Sequence, residues 1–343
     1  MLAVSLPRIV GFSAAVPEHR VQTDQLPFLT SKQKDQFKQQ VGVIEKRFSY
    51  DRITAGDLCL SAAEKLLREL RWDPSSVGIV ILVTQSPDQL MPATAIALQE
   101  KLRLPTSALA FDINLGCSGW VYGLSVVSSM MQTLGIGRGL LLAGETSVLT
   151  SEDDLGYFAL MGDAGTATAL ELSENAVPMH FQFYSDGSRA QAIHAPNSGA
   201  SHFANGGKET GLQYKAKMNA DEVLRFCIQD VVPDIRSFMA DHAVSPENVD
   251  RFIFHQANRL INESMRKKLN VPVERFPYSI GQFGNTSSAS IPLTIVSQLG
   301  EQMTAKQTLL CSGFGVGLSM AHVLLTTESV KCVPLIEVKV PEP

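Results

Sequence analysis

Two segments about 170 residues apart follow the same grammar, and this duplication constrains the fold more than any other feature of the sequence. In the first, a helical stretch from Ala62 to Leu70 runs into Trp72-Asp73-Pro74-Ser75-Ser76-Val77 and then an apolar strand, Gly78 to Val83. In the second, a helical stretch from Val232 to Met239 runs into Ser245-Pro246-Glu247-Asn248-Val249 and then the strand Arg251 to Phe254. Each strand is followed by a short polar loop and a helix that ends alike, Glu100-Lys101-Leu102-Arg103-Leu104-Pro105 in one copy and Lys267-Lys268-Leu269-Asn270-Val271-Pro272 in the other. Later strands end on Leu140-Leu141-Leu142-Ala143-Gly144 and Leu309-Leu310-Cys311-Ser312-Gly313 at the same offset. Three matches in one register point to a duplicated unit.

Strands that are apolar on both sides alternate with helices of ten or more residues, the pattern of sheets covered by helices on both faces, so the fold class is layered α/β. A chain of 343 residues with 45% hydrophobic content can bury a large core. The copies are joined without a Pro/Gly/Ser-rich or charged linker, which predicts two packed halves, residues 1–174 and 175–343. The end from Glu337 to Pro343 reads as an extended tail.

The formal net charge is −5 and no long run of Lys or Arg occurs, which gives a nucleic-acid or membrane-surface role little electrostatic support. Cys59, Cys117, Cys227, Cys311 and Cys332 are odd in number and form no C-x-x-C pair, so neither a disulfide framework nor a zinc site is expected. Met1 to Val10 lacks the layout of a leader peptide, and no apolar run reaches a membrane span. The expectation is a cytoplasmic chain acting on small molecules.

Four motifs can carry chemistry. Asp112-Ile113-Asn114-Leu115-Gly116-Cys117-Ser118-Gly119-Trp120 sets a cysteine directly before a helical run, Val121 to Leu134, where unpaired amides and the helix dipole favour thiolate and can hold an oxyanion. A buried cysteine alone is as readily structural. Phe254-His255-Gln256-Ala257-Asn258 brings a histidine to the end of an apolar strand, where α/β sheets present functional groups, although a satisfied core histidine reads the same way. Gly281-Gln282-Phe283-Gly284-Asn285-Thr286-Ser287-Ser288-Ala289-Ser290 is a tight loop entering a helix, with Asn285 either a ligand or a turn former. Gly313-Phe314-Gly315-Val316-Gly317-Leu318-Ser319 is a glycine loop that lacks the Gly-Lys-Ser/Thr ending of a phosphate loop. Gly162-Asp163-Ala164-Gly165-Thr166-Ala167 begins the equivalent strand of the first copy and reads as a structural turn.

In this order, from about Arg8 to Leu325, these segments together with Met161-Gly162-Asp163-Ala164-Gly165 resemble the 3-oxoacyl-acyl carrier protein synthase III family of the thiolase superfamily. The resemblance implies a thiolase-like fold, two duplicated halves in a five-layer α-β-α-β-α arrangement, and no cofactor. It implies that Cys117 carries an acyl group as a thioester, and that His255 and Asn285 hydrogen-bond the enolate left when a malonyl thioester loses carbon dioxide. Backbone amides of Cys117 and Val316 would hold the tetrahedral oxyanion, although Val316 stands where the family pattern reads glycine. Coenzyme A-using members clamp adenine between a Trp and an Arg; Gln36 and Leu155 stand there instead, which favours an acyl carrier protein as the donor. Arg259, Arg266, Lys267 and Lys268 are candidate carrier contacts, or an ordinary solvated helix face. Members are homodimers in which an apolar residue of one subunit closes the other's acyl pocket. Met91 occupies that position and Met161 would line the same pocket.

Three other readings stand beside condensation: acyl transfer to a hydroxyl or amine, a thiolase using Cys311 as a second cysteine, and a silent carrier-binding subunit. The intact Cys117, His255 and Asn285 favour condensation.

Overall fold

The computed structural model describes residues 2–49, 53–147, 155–196, 198, 200 and 216–339. Two mixed sheets carry the chain. In spatial order the first holds Lys331–Cys332, Pro7–Pro17, Ala164–Leu172, Arg138–Glu145, Ile79–Val83 and Leu109–Ile113, with Ile336–Val338 also on Pro7–Pro17. The second holds Leu2–Val4, Met179–Ser185, Ser319–Thr327, Gln307–Gly315 and Arg251–Phe254.

The duplicated grammar becomes duplicated topology. Ile79–Val83 runs parallel to Arg138–Glu145, which pairs antiparallel with Ala164–Leu172. Arg251–Phe254 likewise runs parallel to Gln307–Gly315, which pairs antiparallel with Ser319–Thr327. The termini cross between sheets, because Leu2–Val4 pairs with Met179–Ser185 while the carboxyl-terminal strands return to Pro7–Pro17. The expected tail therefore docks in part, with Ile336–Val338 hydrogen-bonded to a strand.

Three apolar clusters separate the five layers. One outer cluster packs helix Ala55–Leu70 and helix Thr94–Lys101 on the first sheet. That long helix starts on a capping box between Thr54 and Asp57, and its residues Leu58, Ala62, Ala63, Leu66 and Leu67 recur at helical spacing on the buried face. The opposite outer cluster packs Val232–Asp241 and Arg259–Lys268 on the second sheet. Between the sheets lie Gly119–Leu134 and Ser290–Thr294, which contribute Trp120, Leu124, Val127, Ile291 and Leu293 to the central cluster. Trp120 is fully buried and donates its indole N–H to Thr168 Oγ1 at 3.1 Å, so the large apolar side chain leaves no unpaired donor. Burial of each such side chain contributes roughly 1.5–3 kcal/mol.

Candidate active site

Cys117 lies in the short connection between strand Leu109–Ile113 and the central helix, which begins at Gly119. Small residues are required here because backbones meet. A Cβ on Gly119 would lie 2.5 Å from Val83 Cγ1, and one on Gly313 would lie 2.7 Å from Ser118 Cα. Gly315, at φ +152°, leaves room for the nucleophile itself: a Cβ there would sit 2.7 Å from Cys117 Sγ. The Ser118 and Ser319 hydroxyls, 2.8 Å apart, join the same two segments.

His255 follows strand Arg251–Phe254, with its N–H on the Ser312 carbonyl at 2.8 Å and its own carbonyl accepting from Asn262 Nδ2 at 3.0 Å. Its Nδ1 lies 2.8 Å from the Ser290 hydroxyl, and Phe314 stands edge-on to the ring at 5.6 Å. Asn285 is fixed from the other half: its N–H donates to the Leu160 carbonyl at 2.9 Å, and the Gly162 N–H donates to the Asn285 carbonyl at 3.0 Å. Its side-chain Oδ1 accepts from the Ser287 N–H at 2.9 Å, while Nδ2 reaches the Ala257 carbonyl at 3.3 Å and keeps a second hydrogen. Gly162 has no alternative, since a Cβ would fall 1.9 Å from the Phe283 carbonyl oxygen. Asp163 beside it is a buried tie, accepting from the N–H and hydroxyl of Ser49 and of Ser147.

These segments line one cavity of about 90 Å³, whose wall includes Cys117, His255, Asn285, Val316 and Met161. The sulfur, the imidazole and the carboxamide thus converge, although each comes from a different loop. Ile193, Met218, Val223 and Ile261 give the wall an apolar side suited to an acyl chain.

Burial sets the electrostatics. The Cys117 thiol is pushed above its ordinary range by desolvation, against hydrogen bonds from the Val316 amide, the Ser287 hydroxyl and its own amide. This corrects the expectation of a resting thiolate: the helix terminus supplies donors, but half-burial in an apolar wall outweighs them. The Val316 and Cys117 amides are the groups that the family resemblance implies for an oxyanion. Burial lowers His255 to about 3, offset only in part by a backbone bond with Ser287, so the imidazole is neutral at physiological pH.

Two groups at the site escaped the sequence reading. Ser290 closes the hydroxyl-rich loop and touches His255 across 35 positions. Glu145 ends the strand Arg138–Glu145 and lines the cavity while only 5% exposed. Both oxygens of its carboxyl group accept from the Gln85 N–H at 3.1 Å, and the Ser86 and Ser288 hydroxyls add bonds at 3.0 and 3.3 Å. A carboxyl group closing the apolar run Leu140 to Gly144 was the available signal.

The remaining candidates lie elsewhere. Met91 is 82% exposed and off the cavity wall, with Leu90 and Ile96 exposed nearby. On helix Arg259–Lys268, Arg259, Lys267 and Lys268 face solvent, whereas Arg266 is held by Glu263 at 2.8 Å and the Val271 carbonyl at 2.6 Å. Gln36 is exposed on helix Ser31–Gln40, and Leu155 opens helix Leu155–Leu160. Cys311 is buried in the central cluster away from the cavity, which removes the thiolase reading's second cysteine. No helix among the described residues is long and apolar enough to cross a membrane.

Residues 111–187 match the family model described as 3-oxoacyl-[acyl-carrier-protein (ACP)] synthase III, and residues 239–327 match that of its C-terminal part. The chain is 30% identical over 315 residues to a beta-ketoacyl-[acyl-carrier-protein] synthase III of Streptococcus pyogenes serotype M6, covering 90% of this chain and 96% of that one. Among solved structures, a 3-oxoacyl-(acyl-carrier protein) synthase of Burkholderia xenovorans superposes with a TM-score of 0.92 at 34% identity, over 98% of each chain. The synthase III of Pseudomonas aeruginosa superposes at 0.84 with 26% identity, over 96% of this chain and 100% of that one. With this cavity on this fold, the chain belongs to the 3-oxoacyl-acyl carrier protein synthase III family of the thiolase superfamily and is a condensing acyltransferase.

Proposed function

We propose that the chain joins an acyl group held on Cys117 to a malonyl thioester by decarboxylative Claisen condensation, in fatty-acid-type biosynthesis. Cys117 Sγ attacks the donor thioester, and the negative carbonyl oxygen rests on the amides of Cys117 and Val316. The malonyl thioester then loses carbon dioxide, and the resulting enolate oxygen takes hydrogen bonds from Asn285 Nδ2 and from His255, in the tautomer whose N–H faces the cavity. The enolate carbon attacks the acyl carbonyl, and the thiolate of Cys117 departs. Because burial keeps the imidazole neutral, it can donate without changing charge, which suits an enolate partner better than a base for simple acyl transfer.

The observation that carries this reading is the shared cavity of sulfur, imidazole and carboxamide. Two finer roles follow from the same family logic. An acyl carrier protein docks through Arg259, Lys267 and Lys268, with Arg266 contributing through its helix. Two copies pair so that Met91, in the exposed Leu90, Met91, Ile96 patch, closes the partner's acyl pocket beside Met161. The halves 1–174 and 175–343 are the duplicated units, and the protein works in the cytoplasm. Intact-protein mass spectrometry tests the scheme: Cys117→Ala takes no acyl label, while His255→Ala and Asn285→Ala take it and fail to release carbon dioxide from malonyl carrier. Equal labelling of wild type and Cys117→Ala refutes it.

A further inference from the structure

One buried cation has no part in the scheme above. Lys46, in strand Glu45–Arg47, is 1% exposed, and among the described residues no carboxylate lies within ion-pair distance of its amine. Desolvation lowers the amine to about 8 and the more distant Asp163 opposes the shift, so the side chain is an ammonium at pH 7. A charge held this deep without a partner is unfavourable unless its surroundings are suited to it.

Those surroundings belong to one short helix. Lys46 Nζ donates to the Phe158 carbonyl, and it lies 4.0 Å from the centroid of the Phe158 ring and 5.0 Å from that of Phe48. The two rings meet edge-on at 5.3 Å. A carbonyl oxygen and two ring faces all attract a cation, which a neutral side chain of the same size would not exploit. Helix Leu155–Leu160 brings Tyr157, Leu160 and the following Met161 to the cavity wall, and its Leu160 carbonyl holds the Asn285 N–H at 2.9 Å. The backbone around Lys46 reaches the same loop from its other end. The Ile44 N–H donates to the Gly281 carbonyl at 3.0 Å. Gly284, directly before Asn285, is wedged between the two contacts: a Cβ on it would lie 2.6 Å from the Leu160 carbonyl oxygen and 3.4 Å from Lys46 Cβ.

We propose that Lys46 is a positioning residue for the malonyl step: its ammonium fixes helix Leu155–Leu160, and through the Leu160 carbonyl it fixes the Asn285 carboxamide. Lys46 is off the cavity wall and touches neither the acyl group nor the malonyl thioester. Cys117 is set by other segments, through the close approach of Gly315 and the Ser118 to Ser319 hydroxyl contact, so acyl loading does not depend on this lysine.

The inference rests on Asn285 serving the malonyl step, and following the two steps separately keeps the two failures apart. Lys46→Met keeps the buried stem and removes the charge. Acyl loading of Cys117, read by intact mass, should match the wild type. Release of carbon dioxide from malonyl carrier by the acylated enzyme should fall roughly 10²-fold, in kcat more than in KM, as expected for a displacement near 1 Å at a group touching the reacting atoms. Lys46→Arg, which keeps the cation, should recover part of that release. Unchanged release in Lys46→Met, equal falls in loading and release, or a Lys46→Arg protein as slow as Lys46→Met overturns the inference while leaving the role of Asn285 intact. Wild-type release by Asn285→Ala would instead refute the reading beneath it, and the inference with it. Should the Lys46 variants fail to fold, Phe158→Leu decides, because it keeps the carbonyl and removes the nearer ring: release should fall about 2- to 30-fold with loading unchanged, and unchanged release overturns the inference.

Discussion

Gly315→Ala tests whether the second sheet shapes the nucleophile. The added methyl carbon would lie 2.7 Å from Cys117 Sγ and 2.8 Å from its Cβ, where ordinary contacts run 3.4–4 Å. An overlap of about 0.7–1.3 Å must be relieved, and Gly315 is hemmed by its own strand pairing with Ser319, so the sulfur moves. Overpacking of this kind destabilises by about 1–3 kcal/mol. The φ of +152° adds a further 1–3 kcal/mol or so for a residue with a side chain. A displacement near 1 Å at a reacting atom lowers rate by roughly 10²-fold. Acyl loading followed by intact mass, at a temperature where circular dichroism shows the variant folded, reads that loss. Gly137→Ala serves as the control, since nothing lies within 4 Å of its Cβ position, and it should load normally. Loading by Gly315→Ala at the wild-type rate would show that the strand does not set the sulfur's position.

Two more perturbations follow. Ser290→Ala removes the hydroxyl 2.8 Å from His255 Nδ1, so decarboxylation should fall about 5- to 150-fold, the equivalent of about 1–3 kcal/mol for one lost buried bond, with loading unchanged; equal effects on both steps contradict the assignment. Protonating His255 is opposed by the fold, because the unfolded imidazole takes a proton below about 6.5 and the folded one only near 3. Stability is therefore full above pH 6.5 and falls with acid, by about 2 kcal/mol at pH 5 from this residue, so His255→Asn should show a shallower acid limb in urea unfolding; an unchanged limb counts against the buried neutral imidazole.

Much of this was legible before any coordinates. The repeat located the equivalent strands Ile79–Val83 and Arg251–Phe254, one in each sheet, and the layered class, because apolar runs of strand length between helical periods have few other outlets. Motif context picked out Cys117, His255 and Asn285, whose loops are written in glycine and small hydroxyls. The crossing of the termini was not legible, since pairing of Leu2–Val4 with Met179–Ser185 is a non-local choice that local pattern does not encode. The charge state of Cys117 was misjudged because a helix terminus is visible in sequence and desolvation is not. Glu145 was missed for the same reason, a carboxyl group at a strand end reading as a solvent contact until the cavity closes around it.

A crystal structure of the protein acylated on Cys117, soaked with a non-hydrolysable malonyl thioester analogue, bears most directly on the whole account. The acyl oxygen should lie on the Cys117 and Val316 amides, with the analogue's thioester oxygen between His255 and Asn285. An acyl group on sulfur with the analogue bound outside the cavity, away from imidazole and carboxamide, would contradict it.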